Sequence, residues 1–374
     1  MTTVQSAPAI TFVDLASQHA EIEQEVAAGM RRVIDACAFV NGPDVADFES
    51  AWATYCGRAH AVGVANGTDA LELALRAAGV GTGDEVVVPA NTFIASAEAV
   101  ARTGAGVRLG DCDPIHLLID PGGIAAACTA HTRAVLPVHL YGQIAPMESV
   151  GTAAAARGLV VVEDAAQAHG ARRYDRPVGS WSLAAGFSFY PGKNLGAYGD
   201  GGAVVTDDDE VATALKASRD HGSLKRYEHP TLGFNSRLDT LQAVVLKAKL
   251  ARLDDWNAAR RSAATRYDDL LGGLPGVRLP ATQAGNEHVW HLYVVRVPER
   301  DRCLAALAAA GIPAAIHYPT PIHLTGAFAG LGYGPGDFPV AEAAADEILS
   351  LPMHPHLTAA QQERVAEALA AALR

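Results

Sequence analysis

The sequence of 374 residues contains no apolar run of 18 residues, so no segment is long enough to form a membrane-spanning helix. Its first residues also lack a basic stretch followed by an apolar one, and we therefore do not expect export. It has no run of Lys and Arg, and its formal net charge of −12 disfavours nucleic acid as a partner. We expect a soluble, cytoplasmic protein with neither a membrane nor a nucleic-acid partner.

Cysteine is scarce, with five scattered residues and no CxxC pair, so neither a disulfide framework nor a zinc site is predicted. His288 and His291 have the i, i+3 spacing of ligands on a helix. The surrounding VWHLYVVRV favours a strand, however, which would send the two rings to opposite faces, and we expect no metal site. No strand is followed by GxGxxG with an acid about 20 residues later, which disfavours an NAD-dependent enzyme.

Hydrophobic residues make up 49% of the chain and charged residues 19%, which is typical of a folded globular enzyme. Short apolar runs alternate with amphipathic helical segments through roughly the first 210 residues, a pattern that predicts a parallel sheet covered by helices. The runs span residues 61–65, 85–89, 107–110, 134–138, 159–163, 186–190 and 203–206.

The C-terminal part of the chain has a different pattern. It predicts one longer helix over residues 238–253, followed by a strand-like stretch and two further helices, which together suggest a smaller α+β lobe. Because the chain exceeds one average domain length, we predict a large domain of residues 1–245 and a small domain of residues 246–374.

Two polar groups are placed to meet at one crevice. Lys193 follows an apolar strand and lies in a glycine-rich loop. Asp164 and Gln167 lie just beyond the carboxyl end of another buried strand, which is where ligands bind in open α/β sheets. We therefore expect a carboxylate and a lysine to converge there.

A phosphate site is predicted at a third strand end. The chain turns through Asn66 and Gly67 into a helix whose expected N-cap is Thr68, and N–H groups at a helix start bind anions. Phe93 follows another strand end, where its ring can lie against a planar cofactor. A lysine, an acid, a phosphate cradle and an aromatic ring are the parts that a pyridoxal-phosphate (PLP) site requires.

Five ordered motifs resemble those of the DegT/StrS sugar aminotransferases, which belong to PLP fold type I. The resemblance covers essentially the whole chain. It implies an α/β fold, with a large domain built on a mostly parallel sheet flanked by helices and a smaller C-terminal α+β domain. The motifs are NGTDAL at residue 66, EDAAQAHGA at 163, SFYPGKNLGAYGDGG at 188, GFNSRLDTLQA at 233 and SLPMHPHLT at 350.

The resemblance also implies which residues bind the cofactor. Lys193 binds it covalently, Asp164 pairs with its pyridine nitrogen, and Gln167 lies near its ring hydroxyl. The other implied contacts are the phosphate with Gly67, Thr68 and Ser188, the ring face with Phe93, and the phosphate of the neighbouring subunit's cofactor with Asn235. The last contact implies a homodimer with its active site at the interface.

The activity implied is transfer of an amino group from L-glutamate to a nucleotide-linked keto sugar in amino-deoxysugar or antibiotic biosynthesis. The segment AAIHYPTPIHL offers His317, Tyr318 and His323 as sugar-pocket residues. It resembles the HYPxPxHL pattern of members that act on 3-keto sugars, which favours a thymidine diphosphate (TDP) 3-keto-6-deoxyhexose over the 4-keto isomer. The open alternatives are a dehydratase of the same family, which typically carries histidine at the lysine position, an inosose aminotransferase and a PLP-binding regulator without activity.

Overall fold

The structure, a computed structural model, describes residues 9–374. The strands are β1 (His60–Val64), β2 (Glu85–Pro89), β3 (Gly106–Gly110), β4 (Thr132–Val135), β5 (Val160–Asp164), β6 (Arg172–Arg173), β7 (Arg176–Pro177), β8 (Ala184–Ser188), β9 (Gly202–Thr206), β10 (Asn286–Glu287), β11 (Tyr293–Arg296) and β12 (Ile348–Leu351). The α-helices are α1 (Leu15–Ala20), α2 (Glu23–Ala36), α3 (Pro43–Tyr55), α4 (Gly67–Ala77), α5 (Ile94–Thr103), α6 (Pro121–Ala127), α7 (Met147–Ala155), α8 (Asp209–Ser218), α9 (Thr240–Leu250), α10 (Leu253–Leu271), α11 (Arg300–Ala309), α12 (Pro339–Glu347) and α13 (Ala359–Ala372).

The central sheet has seven strands in the order β1-β9-β8-β5-β4-β2-β3. Neighbouring strands are parallel except at β9, which runs antiparallel to both β1 and β8. Each apolar run predicted from the sequence overlaps one of these strands. The predicted fold class, a mostly parallel sheet flanked by helices, is confirmed.

Both faces of this sheet are buried, which explains the nearly continuous valine in its strands. In β2, Val86 and Val88 pack into one apolar core with Leu71 of α4, whereas Val87 packs into a second core with Trp52 of α3. The helices on the two faces therefore hold each strand in place between them. Within residues 9–374, none of the helices is both long and apolar enough to cross a membrane.

The helix predicted over residues 238–253 corresponds to α9 (Thr240–Leu250), whereas α10 (Leu253–Leu271), which follows it directly, was not predicted. The chain forms two helices, because α9 ends at Leu250 and α10 begins at Leu253 after a turn in which the Arg252 N–H donates to the Lys249 carbonyl. Acidic residues in the first turn of α10 favour a new helix start at this point, since they interact well with its positive end. The buried face of α10 includes the polar residues Asn257 and Arg260, so the sequence shows no continuous apolar stripe there.

The C-terminal lobe is built on the antiparallel pair of β11 and β12, and its core includes residues of α10 such as Tyr267. The domain boundary at residue 245 stays a prediction. Because α9 packs on α2 and α3, and its Leu246 belongs to a core of the central sheet, we propose that the division lies later, within α10.

Candidate active site

Three parallel strands of the central sheet, β8, β5 and β2, end at the same edge. Asp164 is the last residue of β5, Ser188 is the last residue of β8, and β2 is followed by the turn that leads to Phe93 and α5. Since β2, β4, β5 and β8 are parallel, their carboxyl ends face one side, where open α/β sheets bind ligands.

Asp164 is buried, with 5% of its surface exposed. Its Oδ2 accepts a hydrogen bond from Ser96 Oγ at 2.6 Å, and its Oδ1 accepts one from the Ala166 N–H at 3.1 Å. Burial raises the pKa of this carboxyl above its ordinary value, while these hydrogen bonds and the Lys193 ammonium act in the opposite direction. A cation at this position would therefore be strongly attracted.

Lys193 is half-buried in the loop after β8, and its backbone N–H donates to the Tyr190 carbonyl. Burial lowers the pKa of its amine to about 8, and the Asp164 charge opposes that shift. Within the described part of the chain, its Nζ has no hydrogen-bond acceptor. An amine with a lowered pKa and no committed partner is suited to nucleophilic attack and to proton transfer.

The start of α4 forms a close cradle with the end of β8. A side-chain Cβ placed on Gly67 would lie 2.5 Å from the Ser188 Cβ, so only glycine allows this approach. The predicted N-cap Thr68 is wrong: the cap is Asn66, which has extended backbone angles and accepts from the Asp69 N–H at 2.8 Å. Thr68 consequently lies in the first turn of α4, beside N–H groups that have no partner within the helix.

Gln167 is buried, and its orientation is fixed by its neighbours. Its Oε1 accepts from the Tyr141 N–H at 2.7 Å, and because a backbone N–H can only donate, the amide nitrogen must face the other way. That Nε2 donates to the Tyr318 hydroxyl at 3.0 Å. One N–H of Gln167 and the hydroxyl hydrogen of Tyr318 remain for other acceptors.

The predicted aromatic residue lies beside this pair. Phe93 is 49% exposed, and its ring centroid lies 5.0 Å from that of Tyr318, with the planes 36° apart.

The three predicted sugar-pocket residues have different surroundings. His317 is hydrogen-bonded to Ser350 Oγ at 2.8 Å, and burial followed by the Lys193 charge lowers the pKa of its ring to about 4. Tyr318 lies against Phe93 and Gln167. His323, in contrast, is buried against Glu342 at 3.0 Å and the ring of Phe338, and the contacts of its ring are with these C-terminal residues.

Asn235 lies on the surface, and its backbone pairs with Asp220. The next residue ties this loop to α4, because Ser236 Oγ donates to Asp69 Oδ2 at 2.7 Å and accepts from the Ala65 N–H at 3.2 Å. The backbone at Asn235 is thus tied to the start of α4, next to the cradle.

Two residues that contact the predicted site residues carry no signal in the sequence. Ser96 and Tyr141 reach Asp164 and Gln167 from distant segments, and no local spacing marks them. Burial and the Lys193 charge also lower the pKa of His169 to about 3 and that of His291 well below its ordinary value. Uncharged imidazoles therefore surround the lysine at neutral pH.

The residues present fit PLP. A buried carboxylate with one hydrogen bond to each oxygen suits a protonated ring nitrogen, and the unpartnered Lys193 amine suits a covalent link. The backbone N–H groups at the start of α4, which Gly67 brings close to Ser188, suit a phosphate. Comparison with known proteins agrees. The profile of the DegT/DnrJ/EryC1/StrS aminotransferase family matches residues 20–370.

The chain belongs to this family. The dTDP-3-amino-3,4,6-trideoxy-alpha-D-glucose transaminase of Streptomyces venezuelae is 47% identical over 369 residues, which is 99% of this chain and 97% of the relative. The crystal structure of S. venezuelae DesV in complex with a ketimine intermediate superposes with a TM-score of 0.96 and 48% identity, covering 98% of this chain and 100% of that one.

A third comparison concerns the cofactor. The crystal structure of NtdA from Bacillus subtilis with bound cofactor PMP matches with a TM-score of 0.87 and 30% identity over 94% of this chain and 82% of that one. Members of the DegT/DnrJ/EryC1/StrS family are PLP-dependent, and this chain is accordingly a PLP-dependent aminotransferase.

Proposed function

We propose that this enzyme transfers an amino group from L-glutamate to C3 of a TDP-linked 3-keto-6-deoxyhexose. The observation that carries the proposal is the 47% identity, over nearly the full length of both chains, to a transaminase whose name specifies a 3-amino sugar carried by dTDP. The segment from His317 to His323 matches the pattern expected for 3-keto sugars and supports the same position. The 4-keto isomer is the next candidate.

We propose that the cofactor is held by the residues predicted from the sequence. Lys193 makes the covalent link, Asp164 pairs with the ring nitrogen, Gln167 donates its remaining N–H to the ring hydroxyl oxygen, and Phe93 covers one ring face. The phosphate is assigned to Gly67, Thr68 and Ser188, and, from a partner subunit, to Asn235.

PLP, when bound, supplies an electron sink for the bond that breaks at the carbon bearing the amino group. The chain's own residues do the rest. The buried Asp164 carboxylate holds a proton at the ring nitrogen, since loss of that proton would leave the carboxylate without a charge partner. The Lys193 amine, once free, accepts a proton from the substrate carbon as a general base and later donates it as a general acid. Its lowered pKa suits both proton transfers.

We assign the sugar contact to Tyr318. Its hydroxyl accepts from Gln167, so the hydroxyl hydrogen points to a second acceptor, and the raised pKa keeps that hydrogen in place at neutral pH. A sugar oxygen near Phe93 would take it. His317 lies on the same segment and, being neutral, offers its second ring nitrogen without adding charge. His323 would not contact the sugar directly, because its ring is hydrogen-bonded to Glu342.

We also propose a homodimer. Asn235 is exposed on a loop that Ser236 fixes to α4, and the chain just before it exposes three apolar side chains: Leu224 (61%), Tyr227 (80%) and Leu232 (98%). Exposed apolar groups that cluster in this way are typical of a surface that contacts another chain. A second copy would cover them and bring Asn235 to the neighbouring cradle.

The alternatives differ in one residue or one substrate. A dehydratase of this family is expected to carry histidine at position 193, and an inactive regulator is expected to lack Lys193 or Asp164, whereas both are present. An inosose aminotransferase has the same chemistry and differs only in the acceptor.

A substrate comparison tests the proposal. The protein loaded with PLP is treated with L-glutamate and then with TDP-3-keto-6-deoxyhexose, TDP-4-keto-6-deoxyhexose or scyllo-inosose in parallel, and the amino sugar formed is identified by mass spectrometry and NMR. We expect the 3-keto sugar to give the highest kcat/KM. A higher kcat/KM for the 4-keto sugar or the inosose would refute the 3-keto sugar as the acceptor. If none of the three gives an amino product, the proposed substrate class is refuted.

A further inference from the structure

Asn194, the residue after Lys193, has a fully committed side chain. It is buried, its Nδ2 donates to the Val289 carbonyl and to Asn257 Oδ1, each at 2.9 Å, and its Oδ1 lies 3.2 Å from His291 Nδ1. Because a carbonyl only accepts, the amide orientation is fixed, and His291 must be the donor in the last contact. The backbone that carries Lys193 is therefore held from three sides.

Asn257 of α10 connects this anchor to the segment that carries the acid. It is 2% exposed, its Oδ1 accepts from Asn194, and its Nδ2 donates to the His169 carbonyl at 2.9 Å. His169 belongs to the same short segment as Asp164 and Gln167. One side-chain amide thus joins the lysine loop to the acid segment.

The close packing around Asn257 depends on a glycine. Gly170 has a φ of +86°, and a Cβ there would lie 2.7 Å from Asn257 Nδ2 and 2.5 Å from the Tyr55 hydroxyl. Only glycine combines that backbone angle with this approach. The amide of Asn257 is consequently fitted against the backbone that it holds.

We propose that Asn257 is a positioning residue that sets the place of the Lys193 amine relative to Asp164. The proposal rests on the roles given above to Lys193 and Asp164. Asn257 touches neither of them and acts through Asn194 on one side and the His169 carbonyl on the other. An apolar residue of the same size would leave one N–H of the Asn194 amide and the His169 carbonyl without a partner, and each segment would move to find another one.

The test compares Asn257→Leu with a matched control. Gln362→Met also removes a buried amide that donates to a backbone carbonyl, that of Ala263 on the same helix α10, at 2.7 Å. Each variant is loaded with PLP, and three quantities are measured: the midpoint of the pH titration of the visible absorbance, the rate at which L-glutamate converts the bound cofactor, and the Tm. Asn257→Ala, which leaves room for a bridging water, is measured in the same way in case the leucine variant does not fold.

We expect both substitutions at Asn257 to shift the spectral midpoint and to slow the glutamate reaction by about 10- to 100-fold, as small misplacements of reacting groups do. Gln362→Met should lower the Tm and leave the midpoint and the rate at their wild-type values. If the Asn257 variants match Gln362→Met in midpoint and rate, Asn257 is only structural and the inference fails. If the wild-type protein itself shows no visible absorbance with PLP, the proposed cofactor site fails and the inference fails with it.

Discussion

Among residues 9–374, two lysines have a pKa lowered to about 8 by burial, Lys193 and Lys249. Lys249 donates to the Gly196 carbonyl at 2.7 Å and lies 5.0 Å from the centre of the Tyr198 ring, so its amine is committed to the loop that it supports. Lys193 has no such acceptor, and Asp164 lies close enough to affect its titration. The surroundings, and not the pKa, separate the lysine that we propose as reactive from the structural one.

Tyr318 gives a prediction at the same scale. Tyr318→Phe removes one hydroxyl hydrogen that we assign to the sugar, and kcat/KM for the keto sugar should fall about tenfold, the value of one neutral hydrogen bond. Steady-state kinetics of the variant measure this directly. Tyr333→Phe in the same lobe is the control and should retain the wild-type value. An unchanged kcat/KM in Tyr318→Phe would remove this residue from sugar recognition.

The limits of sequence reasoning are clearest for neighbouring residues. The positions of Lys193, Asp164 and Gln167 are predictable because each lies at or just beyond the end of a buried strand, and parallel strands end at one edge. Asn66 and Thr68 are both good N-cap residues, and the choice between them depends on a backbone angle that the sequence does not encode locally. Asn257 reaches the site over 63 residues of chain, and no spacing could have revealed it.

At the scale of elements, the seven strands were predictable because valine-rich runs bounded by turn residues have few other structures available. Helix α10 was not predicted, because its buried face includes the polar residues Asn257 and Arg260 and has no continuous apolar stripe. The motif beginning at Glu163 also holds β5 in place. Glu163 accepts from His139 Nε2, the Gly179 and Trp181 N–H groups and Ser182 Oγ, so one carboxylate joins β5 to the segments on either side.

Glu163→Gln should destabilise the fold. Burial acts to raise the pKa of Glu163, but its donors outweigh burial and hold the pKa below the ordinary 4.5. The carboxylate therefore contributes stability above pH 4.5 that is lost as the pH falls through the lower folded value. We expect urea unfolding to give a loss of about 2 to 4 kcal/mol for the variant at pH 7. This role would be contradicted if the variant were as stable as the wild type at pH 7. It would also be contradicted if the variant and the wild type lost the same stability between pH 5 and 3.

At the scale of the whole molecule, the structure of a single chain does not show a dimer. The resemblance supplied it, and the exposed Asn235 with its apolar neighbours supports it. If Asn235 serves the partner's site, Lys193→Ala and Asn235→Ala subunits damage different sites, and a mixed dimer keeps one intact site.

Coexpression of the two variants with different tags tests this arrangement. Dimers that carry both tags should have about half of the wild-type turnover per dimer, because one of two sites is complete, while each parent variant should be nearly inactive. Mixed dimers as inactive as the parents would place Asn235 in its own subunit's site or outside both.

The most direct test of the central claim is to locate the bond between PLP and the chain. The protein loaded with PLP is reduced with borohydride, digested and mapped by mass spectrometry, with and without prior treatment with L-glutamate. We predict that the added mass lies on Lys193. Glutamate should prevent its addition, because the cofactor then carries the amino group of glutamate and is no longer bonded to the lysine. Modification of Lys249 or another lysine instead, or labelling that glutamate does not prevent, would contradict the assignment of Lys193.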